Sequence, residues 1–316
     1  MINIHWHDGS PSPTVAAMSQ PTDFESKRFV FDADGSPLVG VLRVPPGAGR
    51  RPALVVTGPL TSVKEQAAGT YADALAARGF VTLAFDHRSF GESGGEPRQY
   101  EHPGHKVADV RAAVAALARL PEVDPDRIGA VGVCAGAGYM ARAVADEPRI
   151  RSFGAVAGFY HDPAMQKQWM QGGFDAAVDS ARAARLRYQE SGVADMIPAV
   201  GKEGEVAMPL DEAFAYYGTP RGAVPNYTNG FALMSREMTL PYDAQAAASS
   251  IRVPTLMIHS EKALAPPLAR AFFSRLAGPK REVWVESEGQ IDFYDRPERF
   301  EPAADLLAEH FRDTLR

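Results

Sequence analysis

Lys27–Asp32 and Leu38–Val44 alternate loosely between apolar and polar residues around Asp34-Gly35-Ser36. Alternation on either side of an Asp-Gly pair predicts an antiparallel hairpin. Beyond Arg51 the pattern changes to short, almost continuous apolar runs: Ala53–Thr57, Val81–Phe85, Ile128–Val133, Phe153–Ala157, Thr255–Ile258 and Glu282–Val285. Strands buried on both faces of a parallel sheet have this character. Helical periodicity over Gln66–Arg78, Lys106–Arg119, Ala135–Ala145, Pro266–Leu276 and Ala303–Thr314 falls between or after them. The chain is therefore expected to be α/β, a doubly wound and mostly parallel sheet with helices on both sides.

That rhythm breaks between Pro163 and Arg252, a stretch much longer than an ordinary crossover needs. It holds a helical pattern over Phe174–Glu190, a shorter one over Leu210–Tyr217 and a third within Met234–Ser250. Trp169, Tyr188, Tyr216, Tyr217, Tyr227, Phe231, Met165, Met170 and Met234 make it rich in aromatic and thioether groups. Most of these side chains suit a small helical core. The position of the segment between two core strands predicts a lid over an apolar pocket. The expected organisation is a poorly ordered tail over 1–23, a core over 24–162 and 253–316, and a helical lid insertion over 163–252. Patterning begins only near Phe24, which makes Met18 a second candidate start.

Composition narrows the function. Of 316 residues, 45% are hydrophobic and 23% charged, as in ordinary globular protein. A net charge of -6 opposes an electrostatic nucleic-acid binder. The polar N-terminal stretch lacks a signal peptide's basic and apolar regions, and no run approaches the ~20 apolar residues of a membrane span. A soluble, cytoplasmic protein is expected, with no membrane partner. The single cysteine, Cys134, excludes an internal disulfide and any multi-thiolate metal site. No Walker loop or H-E-x-x-H cluster occurs, and Pro103-Gly104 is expected to break any helix joining His102 to His105. Neither a metal nor a cofactor is expected. Gly132–Gly138 also lacks the G-x-G-x-x-G spacing of a dinucleotide loop.

The chemistry concentrates at Ile128–Met140. An apolar strand runs into Gly132-Val133-Cys134-Ala135-Gly136 and then into an alanine-rich helix. This has the G-x-nucleophile-x-G form, in which the nucleophile occupies a strained strand-to-helix turn. A sulfur at a helix N-terminus is expected to have a lowered pKa, and the next N–H, that of Ala135, to face an oxyanion. The alternative is a buried structural cysteine in a glycine-rich turn.

From about Ser26 onward the chain resembles the α/β-hydrolase superfamily, in particular its dienelactone-hydrolase-like and polyketide-transferase-like branch with a cysteine elbow. Thr57-Gly58-Pro59-Leu60-Thr61 follows the third strand, where the resemblance implies a second oxyanion donor. Pro59 has no N–H, so Leu60 is the better candidate, with Thr61 the alternative. Asp86-His87-Arg88-Ser89-Phe90-Gly91 resembles the family's loop after the fourth strand, where Asp86 and Arg88 are expected to organise the turn. Glu261, in His259-Ser260-Glu261, has the position of the triad acid, its alternative being a surface ion pair. A substrate pocket is expected to draw on Pro59, Tyr160, Trp169, Tyr217 and Asp292. The resemblance also implies a homodimer.

One position departs from the family pattern. The loop after the last strand reads Glu288-Gly289-Gln290-Ile291-Asp292, with Gln290 where the resemblance implies histidine. Glutamine hydrogen-bonds but does not accept a proton at useful pH. Three readings follow. Another histidine acts as base, His161 and His259 ranking first because both follow core strands; or a reactive acyl group needs no base; or the site binds without turning over. Two functions are thus in view. One is acyl hydrolysis or transfer through Cys134 on a hydrophobic ester, lactone or thioester. The other is a catalytically silent member that binds a small molecule.

Overall fold

The computed structural model describes residues 24–316; the expected tail, with Met18, lies outside them. Strands β1 (Glu25–Ala33) and β2 (Ser36–Val44) form the hairpin, paired from Glu25↔Val44 to Ala33↔Ser36. Asp34 and Gly35 make its two-residue turn at φ 53° and 81°, the left-handed pair that matches the twist of the strands. There follow β3 (Arg51–Thr57), α1 (Ala67–Ala77), β4 (Val81–Phe85), α2 (Pro103–Leu117), β5 (Val123–Val133), α3 (Ala135–Asp146) and β6 (Ile150–Val156). The 163–252 segment contains α4 (Pro163–Trp169), α5 (Phe174–Ser191), β7 (Met196–Ile197), α6 (Asp211–Tyr217), β8 (Phe231–Ala232) and α7 (Arg236–Thr239). The chain closes with β9 (Thr255–His259), α8 (Pro266–Arg275), β10 (Lys280–Trp284), α9 (Asp292–Asp295) and α10 (Pro297–Thr314).

Eight strands form one sheet in the order β1-β2-β4-β3-β5-β6-β9-β10. β2 is antiparallel to both its neighbours, and every other adjacent pair is parallel. Alternate residues of each central strand serve opposite faces. Leu54, Val56, Val131 and Val133 join Tyr71, Leu75, Leu307 and Phe311 beneath α1 and α10. Ala53, Val55, Ile128 and Ala130 join Val110, Val114, Met140 and Phe272 beneath α2, α3 and α8. From β3 the chain steps to β4 on one side and returns to β5 on the other. The strand order therefore reverses between β3 and β5, and open α/β sheets bind ligands beyond the carboxyl ends of such strands.

Prolines account for two differences from expectation. α10 starts at Pro297 and carries Pro302 inside it, where a missing N–H forfeits one hydrogen bond without ending the helix. Pro103 opens α2 at its first turn instead of breaking it, a position where no donor is needed. His102 caps that helix, accepting from the His105 N–H at 3.1 Å, and the two rings stack at 4.0 Å. His102 is thus the cap, and the His105 ring packs on it. The described residues hold no group of three or more metal-ligating side chains. No described helix is long and apolar enough to cross a membrane. The third helical pattern of the insert is divided: a 3-10 turn over Leu233–Ser235 leads into α7, and a second 3-10 segment covers Gln245–Ser250.

The loops that reach the switch point are fixed by a buried charge cluster. Asp86, at the end of β4, accepts from the Lys64 N–H and ammonium, both at 2.8 Å, and from the Glu92 N–H at 2.9 Å. Burial works against the Lys64 charge, but hydrogen bonds to Asp86, Glu65 and Glu92 outweigh it and hold the ammonium above the usual lysine range. Arg88 binds Asp109 at 2.6 Å and Asp34 at 3.1 Å, so both residues assigned to this turn do organise it. Replacing Lys64 by Met strands the Asp86 carboxylate in the interior. Urea unfolding near neutral pH should show about 3–5 kcal/mol lost. The deficit should shrink as pH falls and Asp86 is buried neutral; a loss independent of pH would count against the charge argument.

Candidate active site

β5 ends at Val133 and α3 begins at Ala135, so Cys134 makes the whole turn between them. Its φ of 55° and ψ of −127° are strained for a residue with a side chain. Three backbone hydrogen bonds hold it: Cys134 N–H to Val156 O at 3.1 Å, and its own carbonyl accepting from Ala137 at 3.0 Å and Phe159 at 2.9 Å. The flanking glycines are sterically required. A Cβ at Gly132 would lie 2.5 Å from the Ala137 Cα, and one at Gly136 would strike the Gly58 carbonyl. That second approach brings the β3 loop, and with it Pro59 and Leu60, up against the turn.

The side chain of Cys134, 8% exposed, faces a cavity of about 730 Å³. The core contributes Pro59, Leu60, Ala135, Phe159, His161, Gln290 and Tyr294 to its wall. The 163–252 segment supplies Trp169, Met170, Met208, Tyr217, Phe231 and Leu240. The space is largely apolar with a few polar groups gathered near the sulfur, the usual form of a small-molecule site. Trp169 stands at its rim, 47% exposed, with its ring 6.2 Å from that of Phe159.

Three polar groups stand near enough to the sulfur to favour its charged form: the Tyr294 hydroxyl, the Ala135 backbone N–H and the Gln290 side chain. Gln290 is itself locked. Its Oε1 accepts from Leu264 N–H at 2.9 Å, and its Nε2 donates to Ala157 O at 2.7 Å and to the Tyr294 oxygen at 3.4 Å. The expected lowering of the thiol pKa is overturned. Burial pushes the Cys134 thiol up, the three groups offset this only in part, and the nearby Glu212 carboxylate adds to the rise. A helix N-terminus favours the thiolate, but desolvation wins in this apolar chamber.

Leu60, Pro59, Ala135, Gln290, His161, Trp169 and Tyr217 thus share one cavity with Cys134. Of the two oxyanion candidates after β3, Thr61 has its N–H engaged by Glu101 at 3.3 Å, which leaves Leu60 as the better placed. Four expected residues are elsewhere. Glu261 is 66% exposed at the surface and paired with Arg270, so it does not occupy a triad-acid position. His259 is fully buried, with both ring nitrogens against carbonyls, Ser260 O at 3.0 Å and Gly158 O at 3.2 Å; burial lowers its pKa, and it cannot act as base. Tyr160 stacks on Phe272 at 3.9 Å in the core. Asp292 closes the loop after β10, accepting from Glu288 N–H and pairing with Arg296, both at 2.8 Å.

His161 does reach the cavity, but burial and the Lys106 charge push it down to about 3. A neutral imidazole so hard to protonate is a poor base. Two residues were not anticipated. Tyr294 follows Gln290 by four residues, one helical turn, a spacing that could have flagged it. Glu212, on α6, lines the cavity and accepts from Ile291 N–H at 3.3 Å; no local signal points to it.

The model of the Alpha/beta hydrolase family matches residues 44–303. The uncharacterized protein YcjY of Escherichia coli (strain K12) is 36% identical over 271 residues, 83% of this chain and 89% of the relative. The crystal structure of hypothetical protein PA2218 from Pseudomonas aeruginosa superposes with a TM-score of 0.83 at 31% identity, over 92% of this chain and 94% of that one. Thiohydrolase aneE of Aspergillus aculeatus (strain ATCC 16872 / CBS 172.66 / WB 5094) is 35% identical over a shorter stretch of 118 residues, 37% of this chain and 36% of the relative. Sheet order, turn geometry and these likenesses agree: the chain belongs to the α/β-hydrolase family.

Proposed function

We propose that the protein is a hydrolase-type enzyme that acts at an acyl centre through the Cys134 thiol. Its substrate is a moderately hydrophobic thioester, lactone or ester, and the acyl group passes to water or to another acceptor. One observation carries this reading: the thiol stands on a strained turn, in an apolar cavity, with hydrogen-bond donors gathered around it. In the attack, sulfur bonds to the carbonyl carbon and the oxygen gains charge. The N–H groups of Ala135 and Leu60 stabilise it. Collapse expels the leaving group and leaves an acyl-Cys134 intermediate, which the acceptor resolves. The 163–252 segment serves as a lid that shields this step from bulk water.

Thioesters and activated lactones suit the site better than plain esters. Gln290 holds the loop but takes no proton, so no imidazole stands at 290 to protonate a poor leaving group, a role whose loss typically costs ~10²–10⁴-fold. A leaving thiol tolerates that loss where an alkoxide does not. The name thiohydrolase borne by one relative is in keeping with this preference. The buried, protonated thiol favours a second reading, in which the fold binds a small molecule without turnover.

An activated aryl thioester separates the two. The enzyme should release a burst of thiol and acquire a mass adduct on Cys134, and Cys134→Ala should abolish both. Saturable binding with neither burst nor adduct would leave the silent binder. The raised thiol pKa gives a further expectation. Iodoacetamide labelling of Cys134 should climb about tenfold per unit between roughly pH 7 and 9, because only the thiolate reacts. Levelling near neutrality would mean that the thiolate is stabilised after all. Finally, Gln290→His introduces an imidazole beside the sulfur. Turnover of a simple aryl ester should rise about 10²-fold, and no gain would show that the loop cannot present a base there.

A further inference from the structure

With histidine absent at 290, His259 sealed and His161 too weak, the proton of the Cys134 thiol has no acceptor among the imidazoles near the cavity. Two carboxylates line that cavity, and Glu205 is paired with Arg236, which leaves Glu212. Glu212 comes from α6 of the insert, far along the chain from the core strands, and shares the wall with Cys134, Gln290 and Tyr294. Its Oε2 accepts from Ile291 N–H at 3.3 Å, and the neighbouring backbone N–H of Gln290 also favours its charged form. Gly289 leaves room for this seat, since a Cβ there would strike the carboxylate. The loop that carries Gln290 is therefore moulded around the Glu212 carboxyl group.

We propose that Glu212 accepts the thiol proton as Cys134 attacks and returns it to the leaving group, directly or through one cavity water. The proposal rests on the acyl-transfer reading above. In the first half-reaction the S–H bond breaks, the sulfur–carbon bond forms, and the proton moves to Glu212. The bond to the leaving thiolate or alkoxide then breaks, and that group takes the proton away. In the second half, water gives a proton to Glu212 as its oxygen bonds to the acyl carbon. The sulfur–carbon bond breaks and the proton returns to sulfur.

The electrostatics are consistent with this exchange. Burial raises the Glu212 carboxyl above its ordinary range, the two backbone N–H groups and Arg221 oppose the rise, and Asp292 adds to it. A carboxyl so shifted is a better base than a solvated one. Its negative charge is also felt at Cys134, which it pushes up, so thiol and carboxylate hold one proton between them more easily than none. The other charged side chains lining the cavity, Arg236 and Glu205, pair with each other. Tyr294, Tyr217 and Tyr139 complete the titratable groups coupled to the sulfur, and burial holds all three far above their usual range.

Base catalysis and thiol ionisation respond to Glu212 with opposite signs, and this gives the test. Glu212→Gln keeps an oxygen for the Gln290 and Ile291 N–H groups but removes the charge and the base. Single-turnover acylation by an activated aryl thioester at neutral pH should fall ~10²–10⁴-fold. Labelling by iodoacetamide, which needs only the thiolate, should hold or accelerate because the thiol pKa drops. The wild-type acylation rate should level off above the carboxyl's pKa, whereas the variant's should keep climbing with pH. Glu212→Asp should fall between the two. A parallel loss of acylation and labelling would mean a structural role and overturn the proposal. Unchanged acylation in Glu212→Gln, with a normal wild-type burst, would overturn the base while leaving acyl chemistry standing. Absence of any adduct on the wild-type protein would overturn both.

Discussion

Everything at the site depends on one close approach, that of the Gly136 backbone to the carbonyl of Gly58. It joins the loop after β3 to the start of α3 at the point where the strand order reverses. Without side chains at Gly132 and Gly136, β5 can turn within a single residue, and that residue is forced to positive φ. Such a conformation costs of order 1–3 kcal/mol and persists only where the surroundings over-determine it. Hydrogen bonds to Val156, Ala137 and Phe159 do so here. The strain sets Cys134 in its cavity and brings Leu60 and Ala135 to the same wall, so the geometry of the turn precedes any question of chemistry.

Desolvation is the second constraint, and it works against the first. The insert lines part of a largely apolar cavity over the turn, and burial there makes a charged sulfur costly. Tyr294, Ala135 and Gln290 favour the charged sulfur, yet burial prevails. The helix N-terminus does not offset this, because Ala135 supplies a single N–H against full burial of the sulfur. Gln290 fits this setting. A charged imidazolium would suffer the same burial penalty, whereas a neutral amide can hold Leu264, Ala157 and Tyr294 in register without it.

How far the sequence foretold the molecule varied with the range of the forces involved. β4 matched its expected bounds, and the other core strands lay within a few residues of theirs, because apolar runs and the Asp34-Gly35 turn are local signals. Cys134 was legible for the same reason, since strand, glycine spacing and helix are all contiguous with it. Glu261 misled because an address after β9 fixes the backbone but not the direction of the side chain, which Arg270 draws to the surface. His259 misled likewise, its ring turning inward to two carbonyls. Pro103 read as a breaker because a proline's role depends on whether the helix has begun.

Glu212 was invisible for a different reason. Its partner Ile291 lies 79 positions away, and nothing in α6 distinguishes one acidic residue of a helical first turn from its neighbour Asp211. Only the folding of the insert onto the core loop gives the carboxylate its meaning. This dependence bears on a core loop that carries Gln290 and no histidine. A base supplied by the loop after the last strand belongs to the core and is present whether or not the cavity is closed. The Glu212 carboxylate comes instead from the insert, and Gly289 and Ile291 of the core loop make its seat. The burial that raises the thiol pKa also raises that of Glu212, so both sides of the proton transfer shift in the same direction.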